Sequence, residues 1–329
     1  MIRPGPRNLI TDVPGIRVGN AESAGHLTGT TVVLPDHPAI AAVDVRGGGP
    51  GTRETDAMQP SALVERVDAI ALSGGSAFGL EAASGVASWL AARGRGFQVG
   101  AARVPIVPSA ILFDLLNGAP KDWGEMPPYR ALGMAACDAA GEDFALGNAG
   151  AGMGATAGLL KGGLGSVSAQ DDDGLIVGAL AAANPAGSAV MPGQSVLWAW
   201  MLEQNNELGG QKPPGKPATL EPDLPEALQP GANTTLIVVA VNAPLTRPQA
   251  QRVAIMAQDG IARAVRPAHT PFDGDTVFVI ATGEGDPPGP AMIARIGAIA
   301  ADCTARAIAR GVYEADPAGG IHSWREVYR

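Results

Sequence analysis

Short apolar runs rich in β-branched residues alternate along this chain with longer stretches in which apolar positions recur every three to four residues. The clearest short run is Leu236-Ile237-Val238-Val239-Ala240-Val241, bounded by Gly231 and by Asn242-Ala243-Pro244. Its length, branching and turn-forming flanks predict a buried strand opened by Thr234. The same criteria predict strands from about residues 32, 67, 106, 175 and 276, and helices from about 78, 130, 248 and 291. Thr246 with Pro248 marks the start of a helix over 246–265. Met292, Ile293, Ile296, Ile299 and Cys303 place a core-facing stripe on a helix from Ala291 to Arg310. Gln170-Asp171-Asp172-Asp173-Gly174 reads as an acidic turn between two strands. Two sheets stacked between helix layers accommodate this order, an α+β arrangement.

Two glycine-rich stretches need a decision. Ser73-Gly74-Gly75-Ser76 follows a predicted strand over Val67–Leu72 and opens a helix to about Arg93. Its amides can face an anion, and its glycines equally serve close backbone packing. Gly147-Asn148-Ala149-Gly150-Ala151-Gly152-Met153-Gly154 lacks the G-x-G-x-x-G spacing after a strand, so no dinucleotide site is expected. The segment from Val104-Pro105 to Phe113-Asp114-Leu115 predicts an edge or entering strand with an acid, Asp114, inside an apolar run. Gly209 to Pro230 is crowded with proline and reads as an exposed, mobile connection.

Composition narrows the class. The 329 residues are 46% hydrophobic, enough for a sizeable core in one or two domains. Only 4% are aromatic against 45 Gly and 28 Pro, so packing relies on small and branched side chains. A net charge of −9 with no basic cluster argues against a nucleic-acid partner. Without a signal-like start or a run of about 18 apolar residues, a cytoplasmic protein with no membrane contact is expected. Cys137 and Cys303 fall in apolar helical patterns and are expected as buried free thiols. His26, His37, His269 and His322 have no metal-ligand spacing, so neither metal nor cofactor is expected; His269, three residues before Phe272, reads as a solvated loop histidine.

The candidate chemistry sits where the mobile connection meets the strongest strand, at Asn233-Thr234. Attack by the Thr234 hydroxyl on the Asn233 carbonyl would give an ester that water opens, freeing an α-amine beside the same hydroxyl. That amine, with an ordinary pKa of about 7.7–8.0, can act as base for the threonine. The competing reading is a turn that simply starts a strand. Asp273 and Asp275, two apart at the start of the predicted 276 strand, point the same way and can share one cavity, although Asp-Gly-Asp is also a common turn. Asn184, before Pro185 at a strand end, can donate to a developing oxyanion or merely form a turn. Lys161, between Leu160 and Gly162-Gly163, reads on its own as a surface lysine in a loop.

Several stretches together resemble one family. Asn8-Leu9-Ile10-Thr11-Asp12-Val13-Pro14-Gly15-Ile16-Arg17-Val18-Gly19, Gly29-Thr30-Thr31-Val32, Ser73 to Leu80, Val104 to Leu115, Asn184, Asn233-Thr234-Thr235 and Phe272-Asp273-Gly274-Asp275-Thr276-Val277 match, in order, the P1 family of peptidases. That group contains L-aminopeptidase/D-amidase-esterases, β-peptidyl aminopeptidases and nylon-oligomer hydrolases. The resemblance implies an αββα four-layer sandwich of the N-terminal-nucleophile-hydrolase kind. It further implies a single domain over 1–329, cut into 1–233 and 234–329, and a homotetramer. Its site would comprise Thr234 as nucleophile, Asp273, Asp275 and Lys161 as its polar network, and Asn184 at the oxyanion.

The Thr with Asp/Asp pattern is similar to the nylon-oligomer (6-aminohexanoate-oligomer) branch, whereas aminopeptidase members carry Ser with a Ser/Glu pair. The family's oxyanion tyrosine has no clean counterpart: Phe113 occupies the apolar run and Tyr129 lies further on. Small peptides or linear amide oligomers are the implied substrates. An aminopeptidase or D-amidase-esterase needing a free substrate amine is the alternative within the class. An unprocessed binding homologue with an inert Thr234 is the alternative outside it.

Overall fold

Every residue of the strand opened by Thr234 is buried, because alternate side chains enter two different cores. Leu236, Val238 and Ala240 join Ile16, Val33, Leu72, Leu180 and Phe278 on one side. Ile237, Val239 and Val241 join Val253, Ile261, Ile296 and Cys303 on the other. A strand covered on both faces carries an unbroken apolar run, which is why this one stands out so strongly. The computed structural model describes residues 1–215, 219, 221, 222, 224 and 233–329. Half of the expected mobile connection therefore falls outside the described residues, as do Gly231 and Ala232.

In chain order the main elements are β1 (Ile16–Ser23), β2 (Thr28–Pro35), β3 (Ala39–Val45), β4 (Ile70–Ser73), α1 (Glu81–Ala92), β5 (Ser109–Ile111) and α2 (Tyr129–Asp138). They continue with β6 (Gly163–Gln170), β7 (Ile176–Asn184), β8 (Thr234–Val241), α3 (Arg247–Ala264), β9 (Thr276–Ala281) and α4 (Pro290–Glu314). Among the described residues, one sheet runs β1-β2-β4-β5 with Thr52–Arg53 at its end, and the other runs β6-β7-β8-β9-β3 with Arg66–Val67 at its end. Helices α1 and α2 cover the outer face of the first sheet through Val86, Leu90, Leu132 and Ala136. Helices α3 and α4 cover the second. The layers are helices, sheet, sheet, helices, the αββα order the resemblance implies.

Local signals account for much of this. Thr246 caps α3 in a reciprocal box with Gln249. The acidic turn closes the β6–β7 hairpin, with Asp171 Oδ1 accepting the N–H groups of Asp173 and Leu175, each at 2.9 Å. Scarce aromatics are matched by near-contact of backbones: a Cβ on Gly165 would lie 2.0 Å from the Ala307 carbonyl oxygen, so α4 can settle onto β6 only because glycine is there. Cys137 and Cys303 are free and buried, and burial pushes each thiol up to about 12.

Some expectations change. The predicted 67–72 strand is two pieces in different sheets, Arg66–Val67 on β3 and β4 on β2. Between them the Asp68 carboxylate accepts the Ile106 N–H at 2.9 Å and turns the chain. The segment around 106 pairs only over Ser109–Ile111, beside β4 rather than at the sheet's edge. Upstream, Phe97–Val99 and Ala102–Val104 form an exposed hairpin. Met292 leaves the α4 stripe and is 37% exposed, since one residue of helix rotates a side chain by about 100° from its neighbour Ile293.

One buried ion pair ties segments 99 residues apart in the chain together. Arg306 on α4 donates to Glu207 through Nε at 2.6 Å and Nη2 at 2.8 Å, and Nη2 also reaches Asn8 Oδ1 at 3.0 Å. Fully partnered on both sides, this pair fixes the stretch preceding the proline-rich connection against α4.

Candidate active site

The strand register itself assembles the site. Asn184 ends β7 opposite Thr234 at the start of β8, in antiparallel register. Parallel pairing of β8 with β9, Leu236 beside Thr276, sets Asn233 next to Asp273. One end of the second sheet thus gathers 184, 233–234 and 273–275.

Thr234 is 2% exposed, and its hydroxyl donates to the carbonyl oxygen of Asn233. The Gly274 N–H donates to the same oxygen at 2.9 Å. A Cβ at 274 would lie 2.6 Å from Thr234 Oγ1 and 3.0 Å from the Gly49 carbonyl oxygen, so no larger residue fits without displacement. Gly274 was not singled out from sequence; the glycine between two acids was its only local signal.

Asp273 and Asp275 are each 1% exposed, but they precede β9 and take different partners. Asp273 accepts from the Ala186 N–H at 2.9 Å and from Thr270 through N–H at 2.9 Å and Oγ1 at 2.5 Å. Asp275 accepts from the Thr235 N–H at 2.8 Å and from His269 through both backbone N–H and Nδ1. Burial, with the Asp275 charge second, holds the Asp273 carboxyl above the usual carboxylate range. His269 is therefore no free loop histidine: its side chain is 24% exposed and sits 2.8 Å from Asp275. A further support comes from the loop after β3. The Arg46 and Gly49 N–H groups donate to the carbonyl oxygens of Asp275 and Asp273, at 3.0 and 2.8 Å. A Cβ on Gly47 would strike this same backbone.

Asn184 is fully buried. Its Oδ1 accepts the Thr156 N–H at 2.8 Å, and its Nδ2 donates to the Phe113 carbonyl oxygen at 3.3 Å, so the amide's orientation is set. Thr156 pairs with Lys161, which links the lysine to this group. Lys161 is 1% exposed, not a surface residue, and its Nζ donates to the Gly152 and Gly162 carbonyls at 3.0 and 2.8 Å.

Burial lowers Lys161 from 10.5 to about 7, opposed by the charge of Asp114. An unfolded lysine keeps its proton up to about 10.5, so between the folded and unfolded values the unfolded chain binds a proton that the folded chain lacks. Stability relative to Lys161→Met is expected to rise with pH through that window and to be flat below about 7. Thermal melts of both proteins from about pH 6 to 10 check this; a difference that falls as pH rises contradicts it.

The Gly74-Gly75 turn is closed to anions. Gly74, Gly75 and Ser76 donate their N–H groups to the Gly29 carbonyl, Asp114 Oδ1 and the Leu112 carbonyl, at 2.9, 2.8 and 3.0 Å. Asp114, 2% exposed, has its carboxyl pushed up by burial. Tyr129, fully buried, shares a hydrogen bond of 3.2 Å with Thr28 and is also pushed up by burial. Its hydroxyl belongs to the polar cluster beneath that turn.

The model of Peptidase family S58 matches residues 8–325. The chain belongs to that family. This is the P1 family of the sequence resemblance, and the protein is an amide-bond hydrolase. Its relatives include an uncharacterised aminopeptidase of Mycobacterium tuberculosis, 44% identical over 345 residues, covering 98% of each chain. A 6-aminohexanoate-oligomer endohydrolase of a Kocuria species is 30% identical over 293 residues, covering 86% of this chain and 78% of that one. The L-aminopeptidase D-Ala-esterase/amidase of Ochrobactrum anthropi, described as a variant of the Ntn-hydrolase fold, superimposes with a TM-score of 0.70 at 19% identity. It covers 95% of this chain and 87% of that one. The likeness is one of fold, in agreement with the four layers described above.

Proposed function

We propose that this S58 protein is a self-processing N-terminal-threonine hydrolase of small peptides or linear amide oligomers. The observation that carries the reading is the Thr234 hydroxyl lying against the Asn233 carbonyl while the Gly274 N–H holds that same oxygen. In processing, Thr234 Oγ attacks the Asn233 carbonyl carbon. The C–N bond to Thr234 breaks and the hydroxyl proton ends on the departing nitrogen. Water then opens the ester, leaving a carboxylate on Asn233 and a free amine and hydroxyl on Thr234. The products are residues 1–233 and 234–329, held together by the shared sheet and by the Arg306–Glu207 pair.

In turnover the α-amine accepts the Thr234 hydroxyl proton as Oγ attacks the substrate amide, then passes it to the leaving amine. Water releases the acyl group. Asn184 steadies the oxyanion, and Asp273, Asp275 and Lys161 maintain the network around the amine. The Thr with Asp/Asp set favours oligomer amides. The 44% identity to a protein named an aminopeptidase favours the second reading, hydrolysis that requires a free substrate amine.

Purified protein, run on a denaturing gel and weighed intact, tests the processing. An aminoacyl anilide, its N-acetylated form and linear 6-aminohexanoate oligomers then separate the two readings. Turnover of blocked or oligomeric amides supports the first, and strict dependence on a free amine supports the second. One intact chain with no hydrolysis of any of these sinks both and leaves a binding protein.

A further inference from the structure

His269 places two donors on one buried oxygen. Its backbone N–H and its Nδ1 lie 3.1 and 2.8 Å from Asp275 Oδ2. The other oxygen, Oδ1, accepts the N–H of Thr235, the residue after Thr234, at 2.8 Å. Donors on both oxygens fix the carboxylate about its terminal torsion, which is otherwise broad. His269 adopts this position at a φ of 54°, in the left-handed region that histidine visits more readily than most residues other than glycine. Asp273 is secured independently by Thr270 and Ala186, so the histidine acts on Asp275 alone. With Asp275 1% exposed and the His269 side chain 24% exposed, the ring lies between the buried carboxylate and solvent.

We propose that His269 is a positioning residue of the hydrolytic site. Its imidazole locks the orientation of Asp275, and Asp275 in turn holds the Thr235 N–H, one residue along the strand from the Thr234 hydroxyl. The proposal rests on Thr234 being the nucleophile. Because the acceptor is a carboxylate oxygen, Nδ1 carries the proton in this contact.

Asparagine can set a side-chain N–H close to where Nδ1 sits; alanine leaves Oδ2 with the backbone donor only. In the full-length protein, His269→Ala is expected to slow fragment formation and amide turnover roughly 10- to 100-fold, the consequence of losing a hydrogen bond to a charged group. The loss should fall on kcat, with KM within about twofold, and His269→Asn should recover most of it. Wild-type rates in His269→Ala overturn the proposal, as do equal losses in the alanine and asparagine variants. A second measurement does not depend on activity. With histidine labelled by nitrogen-15, Asp275→Asn should shift the Nδ1–H resonance of His269 and leave His26, His37 and His322 in place; an unmoved His269 resonance also overturns the proposal. A wild-type chain that never processes would refute the role of Thr234 while this resonance still reports on the His269–Asp275 contact.

Discussion

Thr234→Ala is expected to remain one chain of 329 residues and to hydrolyse no amide, while the wild type resolves into 1–233 and 234–329. Alanine removes the only hydroxyl hydrogen-bonded to the Asn233 carbonyl among the described residues. Without the cut there is no α-amine at residue 234, so one substitution removes both the nucleophile and the base of the proposed mechanism. Removal of the nucleophile in other covalent hydrolases lowers kcat by on the order of 10⁶, and a loss of at least about 10⁴ is expected here. Thr234→Ser, which keeps the hydroxyl, should still process. Intact mass of the three proteins after identical purification is the measurement. Cleavage at the same bond in Thr234→Ala would show that the hydroxyl is not the attacking group.

Gly274→Ala should slow processing strongly without changing a functional side chain. Its Cβ would lie 2.6 Å from Thr234 Oγ1, and the Gly49 carbonyl, 3.0 Å away, blocks retreat on the other side. The Gly49 N–H in turn is hydrogen-bonded to the Asp273 carbonyl. Relief therefore requires the 273–275 segment to move off Asn233, which lengthens the Gly274 N–H contact with the carbonyl oxygen. Loss of one oxyanion donor costs about 10²- to 10³-fold in other enzymes, and processing of Gly274→Ala should slow by about that factor. The fold should survive, since the cores on both sides of β8 do not involve this residue. Fragment formation followed by gel, beside a circular dichroism spectrum, checks both parts. Processing at the wild-type rate would remove Gly274 from the mechanism.

The layers and the candidate nucleophile were legible for local reasons. The run from Leu236 to Val241 announces a strand buried on both faces, Thr246 with Gln249 announces a helix start, and the ordered motifs point to one family. Asp273, Asp275, Asn184 and Lys161, singled out one by one along the chain, are brought to or near the end of β8 by strand pairing. Reading Lys161 as exposed failed because glycine-rich surroundings look like a loop, whereas here they let backbones close around the ammonium.

By itself, then, the sequence determined most strands and helices, because apolar periodicity and caps act between near neighbours, and its ordered motifs, through their resemblance to one family, gave the αββα class and the residues that carry the candidate chemistry. Tertiary structure decided the rest. It spent the Gly74-Gly75 amides on Gly29 and Asp114, drew Arg46 and Gly49 onto the Asp pair, set Gly274 against Thr234 and turned His269 from a loop residue into a partner of Asp275. Each of these depends on the register and burial of segments that meet only when both sheets are assembled, and a register shifted by one residue would face every one of those groups elsewhere.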